Sequence, residues 1–308
     1  MTQDESLLES ELLEQRSEDL AASEYNMRYH SPPIYKKHSE DFAYFLAQHI
    51  QAGDRILDLG CASASLWKFL LPLLPDNVTL TGADLSPNML DIARKSYPEH
   101  QFILSSFRSL PFDDISFDVV IVSSAFHHIS DKMLPQALNE ILRVLEEHGK
   151  LLGREPLHSD RFIDRGGYTS GALMALRHLF YLATNTKELP EPDPGPDHHA
   201  YNPKEFIDII NTKLKVTSFE FRNPISPIFG RIENTYIAKY ADYLDRLLKH
   251  REGSEIWYAS QKSFSDLNML NDVIINALQE NHLSNSEIQT LLAVVRQITP
   301  EILDTIND

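Results

Sequence analysis

The run Arg55-Ile-Leu-Asp-Leu-Gly-Cys-Ala-Ser-Ala-Ser65 decides the fold. Arg55–Leu59 is apolar at three of its five positions and reads as a short buried strand. A turn of small residues follows, and a helix resumes over Leu66–Leu74. Small residues at such a turn let a ligand approach the backbone closely. Downstream the alternation repeats. Val78–Ala83 predicts a strand ending at Asp84, and Pro87–Lys95 a helix with Ser86 as its cap and proline at its first position. A strand Phe102–Leu104, a loop to Ser116, a strand Asp118–Val122, a helix Leu134–Leu145 with Gly149 as its stop, and a strand Lys150–Gly153 complete the series. Upstream, Phe42, Phe45, Leu46 and Ile50 share one face of a helix. Strands alternating with helices imply an α/β protein, a doubly wound, mostly parallel sheet with helices on both faces.

Beyond Arg154 the alternation is interrupted, and the chain divides into three expected parts. Residues 1–40 form an acidic N-terminal segment. In it Leu7, Leu8, Leu12 and Leu13 could dock a helix, and Tyr25, Arg28, Tyr29 and His30 could cap a ligand. Residues 41–262 form the main domain. It carries a helical and proline-rich insertion at 157–200, with an apolar helix around Ala172–Ala183 and prolines at 190, 192, 194 and 196. A helix at 206–210, a strand at 216–221, a helical stripe from Ile232 to Leu248 and a strand at 255–262 follow. Residues 263–308 read as a C-terminal helical extension with a capping box from Ser284 to Glu287.

Acidic residues number 45 against 28 Lys and Arg, a formal charge of −17. Such a field repels phosphate backbones and anionic lipid, so no nucleic-acid and no membrane partner is expected. One cysteine, Cys61, excludes an intrachain disulfide framework and suits a reducing cytoplasm. The acidic first 24 residues are unlike a targeting signal, and the apolar stretch at Ala172–Ala183 is far short of the ~20 residues that span a bilayer.

The small-residue turn fits two cofactor classes. A dinucleotide site wants Gly-x-Gly-x-x-Gly, because the pyrophosphate lies on the turn and the helix N-terminus. Here the series is Gly60, Ala62, Ala64. S-adenosylmethionine carries no phosphate, so alanine is tolerable, and its ammonium and sulfonium suit Asp58. Asp84, 24 residues after Gly60, stands where a carboxylate can accept two ribose hydroxyls.

Five blocks in order carry a resemblance: Ile56-Leu-Asp-Leu-Gly-Cys61, Gly82-Ala-Asp-Leu-Ser-Pro-Asn-Met-Leu90, Leu110–Val120, Phe126-His-His-Ile129, and Leu142-Arg-Val-Leu followed by Gly149-Lys-Leu-Leu152. The chain resembles the class I S-adenosylmethionine-dependent methyltransferases, near the small-molecule group that includes the quinone-biosynthesis enzymes. The resemblance implies a Rossmann-like fold and S-adenosylmethionine as cofactor. By position it implies Asp58, Gly60 and Ala62 beside the methionine moiety, Asp84 on the ribose, and Leu85 and Met89 on the adenine. Ser106 and Phe107 stand near the adenine amino group, and Ser123 on the floor after the fourth strand. Ala62, Ala64 and Ser106 depart from the family's glycines and acid.

His127 and His128 follow the fourth strand, near the acceptor, where an imidazole can deprotonate a hydroxyl. His198–His199 with Asp193 and Asp197 are poor chelators of one ion, so no metal is expected. The reading is methyl transfer to a small-molecule acceptor, first at oxygen. A homodimer through the insertion or the C-terminal helices stays open. So do a non-catalytic partner protein of this fold and, disfavoured by the turn, a nicotinamide-dependent oxidoreductase.

Overall fold

The structure is a computed structural model and describes residues 10–20, 22, 33–157, 201–222, 239 and 255–262. All of these lie within one compact unit, Met1–Lys262. The expected cap residues at 25–30, the insertion helix and proline loop, the histidine pair at 198–199, the stripe at 232–248 and the C-terminal extension at 263–308 lie outside the described residues, save Lys239 within the stripe.

The described elements run α1 (residues 10–20), α2 (Pro33–Ala47), β1 (Arg55–Leu59), α3 (Trp67–Leu70), β2 (Thr79–Asp84), α4 (Pro87–Ser96), β3 (Gln101–Leu104), β4 (Phe117–Ser123), α5 (Leu134–Val144), β5 (Leu145–Pro156), α6 (Pro203–Asn211), β6 (Lys215–Arg222) and β7 (Glu255–Gln261). They build a seven-stranded sheet in the order β3-β2-β1-β4-β5-β7-β6. β1, β2, β3, β4 and β5 pair in parallel, while β7 is antiparallel to both β5 and β6. The chain leaves β1 toward β2 on one side and returns to β4 on the other, so the order reverses between β1 and β4.

Alternation along each central strand divides the core into two layers. Ile56, Val119, Ile121, Leu152, Trp257 and Ala259 face α2, α3 and α4. Leu57, Leu59, Val120, Val122, Leu151, Ile256 and Tyr258 face α5 and α6. The doubly wound sheet with helices on both faces is the one the periodicity implied.

Local chemistry explains the boundaries. Ser86 accepts the Met89 N–H at 3.1 Å and caps α4, with Pro87 at its first position. α3 is shorter than the expected Leu66–Leu74 because Pro72 follows, and the chain tightens into a 3-10 turn over Leu71–Leu73. Gly149 is not the stop of α5. That helix ends at Val144, and Leu145 is already extended and paired with Phe117, so β5 takes in the residues expected to be helix end and turn.

The acidic leader also corrects an expectation. Leu12, Leu13 and Leu20 of α1 are exposed by 57%, 49% and 75%, whereas Glu14 is buried. The described part of the helix docks by its carboxylates and not by Leu12 and Leu13, while Leu7 and Leu8 of the expected stripe lie outside the described residues.

Candidate active site

The carboxyl ends of β1 and β4 lie side by side, with Asp58 opposite Ile121, at the point where strand order reverses. Doubly wound sheets bind ligands there. A cavity of about 100 Å³ opens at this place, lined by residues at the ends of β1, β2 and β4, in the four loops that follow β1, β2, β3 and β4, and by residues of α1. From the expected set it brings together Gly60, Ala62, Asp84, Leu85, Phe107, Ser123 and His128.

The turn after β1 holds its shape through unusual backbone. Gly60 has φ 77°, and a Cβ there would stand 2.5 Å from the Ala125 Cβ, so the β1 and β4 loops meet without room for a side chain. Ala62 and Ala64 take φ values of 47° and 56°, and Ser124 across the cavity 55°. These are left-handed conformations that glycine adopts without penalty. The alanines that replace the family's glycines therefore keep the glycine-like turn, at a cost in strain that clusters at one cleft.

Asp84 is clamped. Its Oδ2 accepts the Ala62 N–H at 2.8 Å and its Oδ1 the Ser86 N–H at 2.9 Å. Burial raises its pKa, while those backbone donors pull the other way. Asp58 does not line the cavity. It is buried behind the turn, its Oδ2 accepting the Trp67 indole N–H at 2.6 Å, and burial pushes its carboxyl up to about 7. Met89 is fully buried in α4 and also lies off the lining. Ser106 is likewise absent from the lining, which includes its neighbour Ser105. Burial raises the Cys61 thiol well above its ordinary value, so Cys61 is packing and not a nucleophile.

The two histidines separate. His127 is buried beneath the 3-10 turn Phe126–His128, with Nδ1 2.9 Å from Glu155 Oε2. His128 lines the cavity. Glu155 is an unforeseen organiser of this turn. Fully buried at the end of β5, it accepts the N–H groups of Ala125, Phe126 and His127 at 3.1, 3.0 and 3.3 Å, and burial pushes its carboxyl up to about 7. Tyr201 donates its hydroxyl to the Phe126 carbonyl at 2.9 Å and steadies the same turn.

Helix α1 supplies the other unforeseen residues. Glu11 accepts from Ser106 Oγ and stands 3.5 Å from Arg108. Asp19 accepts from Ser86 Oγ and from the Asn88 N–H. Glu14 Oε1 lies 2.7 Å from His128 Nδ1, and Glu18 lines the cavity beside it. Burial alone would lower the His128 pKa, but Glu14 and Glu18 carry it above its ordinary value. The spacing Glu11, Glu14, Glu18 on one helix face was the available signal.

Comparison with known proteins places this geometry. Residues 56–149 match a family described as Methyltransferase domain. A demethylmenaquinone methyltransferase of Thermotoga maritima is 32% identical over 155 residues, 46% of this chain and 65% of that protein. The ubiquinone/menaquinone biosynthesis C-methyltransferase UbiE of Hahella chejuensis is 31% identical over 109 residues, 33% of this chain and 43% of its own length. The chain thus spans less than two thirds of either relative. Among solved structures, the (4+2)-cyclase SpnF shares 16% identity over 82% of this chain and 97% of its own, with a TM-score of 0.53. That likeness shows the Rossmann-like fold.

Fold, switch-point cleft and matched blocks define a Rossmann-like methyltransferase domain. Residues 56–149 are thus similar to the methyltransferase domain of the S-adenosylmethionine-dependent enzymes. The residues present suit the cofactor that family implies. The Gly60 approach leaves backbone exposed to a ligand, and Asp84, Glu14 and Glu18 offer carboxylates to hydroxyls and cations. Among the described helices, none is long and apolar enough to cross a membrane.

Proposed function

We propose that the protein transfers a methyl group from S-adenosylmethionine to a small-molecule acceptor, at a hydroxyl oxygen, in the cytoplasm. The observation that carries this reading is the convergence of Gly60, Ala62, Asp84, Leu85, Phe107 and His128 on one cavity at the β1/β4 switch point. Asp84, fixed by two backbone donors, would take the ribose hydroxyls. Leu85 and Phe107 would flank the adenine, and the small turn at Gly60–Ala62 would admit the methionine portion. When bound, the cofactor supplies an electrophilic methyl carbon on a cationic sulfur.

The chain's own work is alignment, exclusion of water and handling of one proton. Glu155 and Tyr201 hold the turn that presents His128 to the cleft. His128 would accept the acceptor's hydroxyl proton, with Glu14 at its Nδ1 stabilising the charge it gains. His127, engaged with Glu155 below the turn, is a positioning residue in this reading. The net charge of −17 favours a small acceptor over nucleic acid, and relatives named for quinone methylation make hydroxylated aromatic rings the first acceptors to screen.

The test is calorimetry with S-adenosylmethionine on the parent and on Asp84→Ala, then labelled methyl transfer with the product located by mass spectrometry and NMR. Loss of hydrogen bonds to a charged acceptor, worth roughly 1.5–3 kcal/mol, should weaken binding by about one to two decades. An unchanged dissociation constant in the folded variant would sink the cofactor assignment, and label on carbon would move the acceptor atom.

A further inference from the structure

Helix α1 brings acid to a cleft that is already acidic. Glu14 and Glu18 line the cavity together with Asp84, and His128 is the one basic side chain among its lining residues. Glu14 is 6% exposed, and although its Oε1 meets His128, its Oε2 is buried with no hydrogen-bond partner among the described residues. A buried carboxylate oxygen left so is costly, and positive charge beside it would be stabilising. Burial pushes the Glu18 carboxyl up to about 7; His128 opposes the rise, while Asp84, Glu14 and Asp19 add to it by repulsion. Ligating atoms of Glu14, Glu18 and His128 all lie within 4.8 Å of one another, the span of a single cationic centre.

The geometry points to a cation-recognition site formed by Glu14 and Glu18 over the cofactor cleft, whose ligand is the sulfonium of the methyl donor. This inference rests on the methyl-transfer reading above. In the transfer the methyl carbon bonds to the acceptor oxygen, the carbon–sulfur bond breaks with its electron pair kept by sulfur, and the acceptor's proton passes to His128. Sulfur passes from cation to neutral thioether. Once His128 has passed that proton to solvent, the two carboxylates no longer face a sulfonium, and α1 holds the product less tightly than the donor. The cavity under α1 is about 100 Å³, against ~300–1,000 Å³ for most small-ligand sites, so helix and cleft must part for the donor to enter. With the donor in the widened cleft, a ligand that gains from α1 at its edge holds the helix there in proportion to that gain. The donor's charge supplies the gain.

A divalent metal ion would meet the same oxygens, so the experiment carries an arm for it. Affinities for S-adenosylmethionine, S-adenosylhomocysteine and Mg²⁺ or Zn²⁺ alone are measured on the full chain, on Glu14→Gln/Glu18→Gln and on Glu11→Gln. The isosteric pair should lose about 10- to 100-fold in affinity for the charged donor and less than about threefold for the neutral product. Glu11, which docks the helix on Ser106 and Arg108 outside the cavity lining, is the control, and its variant should leave the donor-to-product ratio unchanged. Equal losses for both ligands, or none, overturn the proposal. Tight metal binding abolished by the pair, with the donor-to-product ratio unmoved, replaces it with a metal site. Binding of neither adenosyl ligand by the parent chain refutes the methyl-transfer reading itself.

Discussion

Helices α1 and α2 are both amphipathic, yet they bury opposite chemistry. α2 packs Phe42, Ala43 and Leu46 at no exposure against the sheet, with Phe42 edge-on to Trp257 at 5.2 Å between ring centroids. α1 turns Leu12, Leu13 and Leu20 outward and lays Glu11, Glu14, Glu18 and Asp19 on Ser106, Arg108, His128, Ser86 and Asn88. Apolar burial is indifferent to protonation and scales with area. Carboxylate docking depends on who holds the proton and which cations are near. Helix α2 is part of the fold, and α1 is a reporter of what the cleft contains.

The largest expected effect sharpens that division. Phe42→Ala should cost about 3–5 kcal/mol of global stability in urea unfolding. Deleting residues 1–20 should change it by less than about 1 kcal/mol, because the cost of burying the charges of Glu14 and Glu18 offsets most of what their ionic contacts contribute. A deletion as costly as Phe42→Ala would make α1 a core element and erase the contrast.

Glu155 is the intermediate case, a carboxylate that does belong to the core. Its replacement by Ala orphans three buried N–H groups, and a loss of about 3 kcal/mol is expected. Cleavage or exchange should also rise at residues 125–128, since the turn loses its anchor. If stability is unchanged and the turn stays protected, Glu155 is not what holds it.

Docking of α1 should weaken as pH rises. Glu18 has a docked pKa of about 7 against an ordinary 4.5, so the docked form binds its proton more tightly. That contribution is fully present below about 4.5 and is lost as pH climbs through about 7. His128, also raised, acts in the same direction, its share lost as pH rises past its own docked value. Exchange of the amides at 10–20 should therefore speed up on the order of tenfold beyond the intrinsic rate between pH 5 and 8, and Glu18→Gln should flatten the rise. A profile that is flat in the parent contradicts the protonation argument.

The smallest effect concerns the turn. Ala62→Gly removes a left-handed penalty of roughly 1–2 kcal/mol and gives back about 0.4–1 kcal/mol in unfolded-state entropy. A net gain near 0.5 kcal/mol is expected in thermal unfolding, and a loss would mean that the Ala62 methyl packs usefully.

The sequence made the cofactor half legible because its signals are local. The apolar strand emptying into Gly60, the Ser86–Pro87 cap and Asp84 at a strand end all lie within a few residues of what they specify. The residues it missed act across long separations. Glu155 reaches N–H groups 28 to 30 positions away, and Glu14 reaches His128 across 114. Nothing in either neighbourhood announces the partner. The leucines of α1 misled because an amphipathic pattern tells which faces differ and leaves open which one is inside. Likewise the sequence marked strands at residues 216–221 and 255–262, while their antiparallel seats beyond β5 follow from tertiary packing.

Hydrogen exchange at residues 10–20 of the full chain, followed with S-adenosylmethionine and then with S-adenosylhomocysteine at matched saturation, tests the central claim most directly. The account predicts strong protection of these amides by the charged donor and clearly less by the neutral product, with the amides of α2 unmoved by either. Equal protection by both ligands, or none by the donor, would contradict it.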